Sequence, residues 1–450
     1  MSKVSKKLTF GEKFSYGLGD CAANVYVAMA GSFLTGYYTD TVGLAALAVG
    51  TMMLVARVFD GVTDIVMGAV VDKTKSKYGK ARPWVLWTAP LMAIGLILLF
   101  AVPKSIYGTN AGLVYAYVSY IFMNCIIYTA NNLPYNALLS RMTLDVQDRA
   151  ATASMRFIMT QITTLVITSV TAVGVASIGW TGLAVIYAVI EIVMLLICFF
   201  GCKEHIGEDT SGTVRVEQVP LGEALPALFR NQYFYLQALL FLVLYINVVA
   251  SGMLGYYFCS TVLGNLAIMS ALSMAQTIPA VVANFVNPAL VMKFGKRKTM
   301  MCGAFLMIVG SCIIGAGATS VPAIIIGTII KGFGMGPIMS GVFAMTADVV
   351  DYGEWKTGVR SEGLVNSCTS FGMKVGIGLG SAVGSWILAF GGYISSTEAV
   401  TQPASAVASI RFGYGYFGAI IAAICLVLIF AMNIDKNIKQ IQSDLQAKRV

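Results

Sequence analysis

The sequence predicts an all-α membrane protein with twelve transmembrane helices in two six-helix halves. Three observations predict it. The 450 residues are 57% hydrophobic and only 11% charged, with a mean hydropathy of +0.78, whereas soluble domains carry about 25% charged residues. Apolar runs long enough to cross a bilayer recur along the whole chain. Lys and Arg collect in alternate connections between those runs.

The elements follow in order. The opening "MSKVSKKLTFGEKFSYG" is basic and polar, and no cleavable signal-peptide pattern follows it, so the first apolar run is expected to persist as a helix. Candidate spans fall near 14–39, 43–71, 84–103, 110–140, 151–177, 180–202, 233–262, 266–292, 299–318, 321–348, 362–392 and 411–433. Lys3, Lys6, Lys7 and Lys13 precede the first span, and "DKTKSKYGKAR" (72–82) follows the second. Arg141 and Arg149 follow the fourth, and Lys203, Arg215 and Arg230 the sixth. "KFGKRK" (293–298) follows the eighth, Lys356 and Arg360 the tenth, and Lys436, Lys439, Lys448 and Arg449 the twelfth. The opposite connections hold little beyond Lys104 and Arg411. This alternation predicts that both termini are cytoplasmic and accounts for the net charge of +9 without nucleic acid. The nine cysteines lack metal or CxxC spacing, so Cys198, Cys302, Cys312 and Cys425 read as small buried hydrophobes.

"GAVVDKTKSKYGKARP" after span 2 resembles "PALVMKFGKRKTM" after span 8. The most polar connection, 203–230, separates the halves, giving a bundle at 1–202, a linker, a bundle at 231–435 and a tail at 436–450. Two six-span repeats joined in this way are the pattern of the major facilitator fold. A tight turn that merely draws Gly and Lys is the simpler reading of the likeness. Glycine-rich runs such as "GFGMGPIMSG" and "GIGLGSAVGS" suit closely packed helices, in a moving protein or a static pore.

Ionisable groups inside spans are the sharpest signal, because each costs at least about 2.5 kcal/mol at the bilayer centre. They are Asp20, Arg57, Asp60, Asp64, Arg156, Glu191, Lys331 and Lys374. Asp60 and Asp64 share one helix face, where two carboxylates repel unless a cation or proton joins them. Thr63 adds a hydroxyl, and Na⁺ or H⁺ is the expected partner; a permanent Arg57–Asp60 pair is the alternative. Span 4 carries Asn124, Tyr128, Asn132 and Asn136 at four-residue steps with Thr129 alongside, and span 1 carries Tyr16, Asp20 and Asn24. Amides and phenols both donate and accept, which suits a polyhydroxylated ligand; bonds between helices are the competing reading. Arg156 and Lys374, with Ser370 one turn before it, are expected to hold an anionic group or to balance the carboxylates. Glu191 and Lys331 read as structural. The segment "ADVVDYGEWKTGVRSEG" (347–363) reads as a loop whose Asp351, Glu354, Lys356, Arg360 and Glu362 form gating ion pairs, or as a plain solvated loop. No nucleotide-binding loop occurs, and the single histidine, His205, lies in the linker, so an enzyme or ATP-driven pump is not expected.

"SYGLGD" (15–20), "YYTDTVGL" (37–44), "ARVFDGVTD" (56–64), "KYGKARPW" (77–84), "NLPYNAL" (132–138) and "DYGEWKTGVRSEG" (351–363) together resemble the glycoside–pentoside–hexuronide:cation symporter family. The resemblance spans both halves in the family's order. It implies a major facilitator fold and cation-coupled sugar uptake. Matching positions of the family's melibiose carriers imply cation binding at Asp60 and Asp64 with Thr129, and a Lys374 close to both sites. Thr63 replaces an Asn of those carriers, which opens the choice between H⁺ and Na⁺. Their two sugar-holding Asp positions are Asn24 and Asn132 here, which is similar to the glucuronide-carrier branch, and a Trp position is Asn136. Amides in place of carboxylates leave a more positive cavity, which points to a glucuronide, with neutral pentosides as the other class.

The expected protein is therefore a monomeric secondary transporter of the bacterial inner membrane, importing a glycoside with H⁺ or Na⁺ by alternating access. It needs no cofactor, no metal beyond a coupling Na⁺ and no nucleic acid. A channel and an exporter of lipids or drugs are the competing classes.

Overall fold

A computed structural model describes residues 7–449 apart from 144, 205–225, 227, 318, 360–361, 396–400 and 437. The described chain is almost wholly helical. We number the helices α1 (10–41), α2 (Ala46–Lys73), α3 (Arg82–Phe100), α4 (Asn110–Met142), α5 (146–178), α6 (180–201), α7 (Gln232–Val262), α8 (Ile268–Phe294), α9 (Lys296–Ala316), α10 (Val321–Thr357), α11 (Glu362–Phe390), α12 (Ala404–Ala431) and a short terminal α13 (Ile438–Arg449). Nine continuous helical stretches among the described residues are long and apolar enough to cross a membrane. One of them contains Gly179, whose φ of 71° breaks it into α5 and α6. The charged α2 and the interrupted α1 complete the set of twelve.

Local chemistry sets the boundaries. Thr9 and Glu12 form a reciprocal capping box at α1, with the Glu12 N–H donating to Thr9 Oγ1 at 3.2 Å and the Thr9 N–H to Glu12 Oε2 at 2.9 Å. Thr109, Asp145 and Asn231 accept from first-turn amides of α4, α5 and α7. α10 stops at Gly358, which takes φ +73° as few other residues can. It corrects the expected loop at 347–363: the chain stays helical through Thr357, so Asp351, Glu354 and Lys356 ride on the end of a rigid rod. Arg360 lies outside the described residues, as does the side chain of Glu362.

The chain forms two compact units, α1–α6 and α7–α13, the first also taking the segment that begins at Tyr393. Each has its own apolar core. Within the first unit α1 packs on α5 and α6, α2 on α4, and α3 on α6; within the second α7 packs on α11, α8 on α10, and α9 on α12. The pairing is the same in both.

A small clasp repeats too. Gly79 (φ 105°) and Gly295 (φ 86°) turn the chain into α3 and α9. At the first turn, Glu204 accepts from the Lys80, Ala81 and Arg82 amides at 3.1, 2.8 and 3.0 Å. At the second, Asp435 accepts from the Arg297 amide at 2.7 Å. Both carboxylates come from just beyond the last membrane helix of their own unit. Arg82 donates to the Phe199 carbonyl at 2.7 Å and lies 4.8 Å from that ring's centre. Arg297 donates to the Phe430 carbonyl and lies 4.9 Å from its ring centre. The likeness of the two basic turns is thus a real repeat, not the general taste of tight turns for Gly and Lys.

Large apolar side chains point outward in four-residue stripes, such as Val114, Val118, Phe122 and Ile126 on α4. That is the reverse of a soluble helix and matches a lipid surface. Cys302 and Cys312 lie on such exposed faces, against the expectation of burial, while Cys198 and Cys425 are buried.

Candidate functional site

The site grows from the ionisable residues of α1, α2 and α5 and the polar stripe of α4, all in the first unit. Asp60 is buried on α2. Thr129 of α4 donates its hydroxyl to Asp60 Oδ1 at 3.0 Å, and Arg57 Nη1 approaches Asp60 Oδ2 at 3.4 Å. Charge-assisted N–H···O bonds usually run about 2.7–2.9 Å, so this ion pair is a loose one. Arg57 and Asp60 are three residues apart on one helix. Arg57 also lies near the phenols of Tyr26, Tyr120 and Tyr128, which share its charge. Thr63 turns its hydroxyl back to the Asp60 and Phe59 carbonyls at 3.1 and 3.3 Å. Asp64 stands one turn further along α2, half-buried.

A second network runs beside it. Thr160 of α5 donates to Asp20 Oδ2 at 2.9 Å, and Arg156 Nε faces the same oxygen at 3.5 Å. Arg156 Nη1 donates to Asn136 Oδ1 at 2.8 Å, and Asn136 Nδ2 to Asn132 Oδ1 at 2.8 Å. Asn24 donates to the Asp20 carbonyl at 2.9 Å. Tyr16 and Tyr135 stack at 4.6 Å beneath Arg156, with the Tyr135 hydroxyl donating to the Tyr16 carbonyl at 2.6 Å. Tyr128 is half-buried and lies 5.4 Å from Tyr26. Three helices thus bring Asp20, Asn24, Asn132, Asn136 and Arg156 into one polar chain.

Several expectations change. Of the two roles expected for Arg156, it takes up that of balancing a carboxylate, because Asp20 offsets its charge. Asn124 does not belong with the other amides: it is buried and accepts from the Tyr26 hydroxyl at 3.1 Å. Thr160 was not singled out from the sequence, although it stands one turn after Arg156 and so shares its face. Tyr26 and Tyr120 carried no sequence signal, since their place beside Arg57 depends on packing between helices. Lys374 and Ser370 lie on α11 of the second unit, the first half-buried and the second exposed. Lys356 donates to the Arg230 carbonyl at 3.1 Å, and Trp355 Nε1 to Asp444 of α13 at 2.9 Å. Glu191 is fully buried on α6, and among the described residues neither of its carboxyl oxygens has a hydrogen-bond partner.

Outside the membrane, Asp148 at the start of α5 accepts from Lys13 Nζ at 2.7 Å and from the Leu8 amide at 2.8 Å. Lys13 chiefly, and the amide next, hold its carboxyl below the usual carboxylate range.

Comparison with known proteins agrees with this architecture. Residues 15–436 match the family model described as MFS/sugar transport protein. The isoprimeverose transporter of Lactiplantibacillus pentosus is 33% identical, the match covering 98% of this chain and 92% of that one. The glucuronide carrier protein homolog of Escherichia coli (strain K12) is 29% identical over 99% of this chain and 97% of its own. The putative glycoside/cation symporter YagG of Escherichia coli (strain K12) is 31% identical, over 90% of this chain and 88% of its own. Among solved structures, a bacterial homolog of the human lysosomal transporter Spinster superposes with a TM-score of 0.68 at 12% identity, covering 96% of this chain and 97% of that one. The nucleoside transporter NupG gives 0.63 at 15% identity, covering 93% and 98%. These last two likenesses speak to the fold. A carboxylate pair on α2, a repeated six-helix unit and a family match over nearly the whole length converge on one conclusion: the chain is a multi-pass membrane transporter, not an enzyme, and belongs to the glycoside–pentoside–hexuronide:cation symporter family of MFS/sugar transport proteins.

Proposed function

We propose that this protein is a cation-coupled glycoside symporter of a bacterial inner membrane, with both termini cytoplasmic, working as a monomer by alternating access. The observation that carries the reading is Asp60: a buried carboxylate that accepts from the Thr129 hydroxyl and faces Arg57 at 3.4 Å, with a second carboxylate residue one turn along the same helix. H⁺ or Na⁺ at Asp60 and Asp64, assisted by Thr63 and Thr129, relieves the repulsion between them. The sugar is held by Asp20, Asn24, Tyr128, Asn132, Asn136 and Arg156. The acidic and basic groups at the end of α10 act as the gate. Because the coupling is a difference in binding free energy, sugar and cation raise each other's affinity by the same factor.

The Asp20–Arg156 pair alters the substrate preference drawn from charge alone. A guanidinium already offset by a carboxylate gives less to a uronate and leaves amides and hydroxyls as the recognising groups. A neutral pentoside-type glycoside therefore takes precedence over a glucuronide, in keeping with the 33% identity to the isoprimeverose transporter.

The test is uptake into proteoliposomes of a small glycoside panel under imposed pH and Na⁺ gradients. Uptake of a neutral xyloside above that of a glucuronide, driven by one of the two cations, is expected. D60N and D64N should each abolish accumulation against a gradient. Full accumulation by either variant removes the coupling assignment; uptake of the glucuronide alone removes the substrate assignment.

A further inference from the structure

Arg57 stands beside the acid pair without closing on it. Its Nη1 faces Asp60 Oδ2 at 3.4 Å, beyond the roughly 2.7–2.9 Å of a closed charge-assisted bond. The two residues are three apart on α2, a spacing at which their side chains meet readily. The neighbouring helices hold the guanidinium back.

Cys125 of α4 donates its S–H to the Ala56 carbonyl at 3.1 Å, which sets α4 against α2 at the residue before Arg57. One residue earlier on α4, Asn124 Oδ1 accepts from the Tyr26 hydroxyl of α1 at 3.1 Å. A phenol has a single O–H. Asn124 takes it, so the Tyr26 oxygen offers lone pairs to Arg57, its neighbour. Tyr120 of α4 accepts from the guanidinium through its own hydroxyl oxygen. Tyr26 and Tyr120 are 3% and 4% exposed, so little water competes with them for Arg57.

Neutral phenols suit this task. They accept from a guanidinium without adding a third acid beside the pair. A guanidinium closed on Asp60 would occupy the carboxylate and shut out a visiting cation. One withdrawn altogether would leave a buried acid uncompensated whenever no cation is bound. Shared between phenols and carboxylate, Arg57 stays between these extremes.

We propose that Tyr26, oriented by Asn124, and Tyr120 are positioning residues for coupling: they hold Arg57 part-way off Asp60 and so set the affinity for the cation. The proposal rests on the assignment of the cation to Asp60 and Asp64.

The experiment follows thermal unfolding of the purified full-length protein in two series. In one, Na⁺ replaces choline at constant ionic strength and pH; in the other, pH varies without Na⁺. The coupling response is the part of either curve that D60N removes. Y26F and Y120F should each move its half-saturating point about tenfold toward higher cation, about one pH unit toward acid if the ion is H⁺, as a hydrogen bond to a charge is lost. In an R57Q background the same substitutions should move nothing, whereas a packing role for the rings would act there too. A half-saturating point that is unmoved, or moves to lower cation, in either variant overturns the proposal, as do equal shifts with and without Arg57. If D60N keeps both responses of the parent, the coupling assignment falls and takes the proposal with it.

Discussion

Asp60 and Thr129 are the residues on which coupling turns. A hydroxyl bonded at 3.0 Å to a buried carboxylate is worth about 1.5–3 kcal/mol when the acceptor is charged. T129V is therefore expected to weaken the driving cation's half-saturating concentration by about tenfold or more, read from uptake rates across a cation series. Sugar binding at saturating cation should change far less. The acids on α2 were legible in the sequence because charge in a membrane helix is costly enough to need a reason. One countercharge was legible with them. Arg57 lies on the same helix, and its link to Asp60 follows from spacing. Asp20 and Arg156 meet only because α1 packs on α5, and no spacing within one helix announces that. The same holds for Asn124, whose four-residue step from Tyr128 suggested a ligand role until its bond to Tyr26 placed it among the helix-linking amides.

At the scale of elements, helix positions followed hydropathy closely, whereas α10 ran well past its expected end. Polar residues after 348 looked like a loop because hydropathy stops at the interface, but a helix does not need to stop there; it needs a terminator, and Gly358 is the first strong one. The turns into α3 and α9 allow a paired prediction. Glu204 satisfies three amides, Asp435 one. E204Q puts an amide donor against the Lys80 N–H and should cost about 1–3 kcal/mol. D435N can rotate its carbonyl toward Arg297 and should cost less. Unfolding midpoints of the two variants test the order, and equal losses would contradict it. At the start of α5, the Lys13–Asp148 bond gives a pH dependence with a defined sign. The carboxyl is depressed in the folded state, so its stabilisation is complete above the ordinary carboxylate range and fades as pH falls through the depressed value. The gap in unfolding midpoint between the parent and K13M should be flat above about pH 5 and close toward more acidic pH. A gap that widens on acidification would contradict the assignment.

Across the whole molecule, two units with separate cores and the same internal pairing divide the labour. The acid pair and the polar chain belong to the first, the buried Lys331 and α13 to the second. Because each core closes on itself, fragments 1–215 and 216–450 expressed together should both accumulate in the membrane and recover glycoside counterflow. Neither fragment alone should transport. Failure of both fragments to accumulate would show that neither unit stands without the other.

The clasp at Gly79 has a consequence for how the chain is made. Its carboxylate, Glu204, emerges from the ribosome directly after α6 and before any of α7. The first six helices can therefore be fastened while the rest is still being translated, and insertion proceeds as two successive lockings, the later one waiting for Asp435, which follows α12.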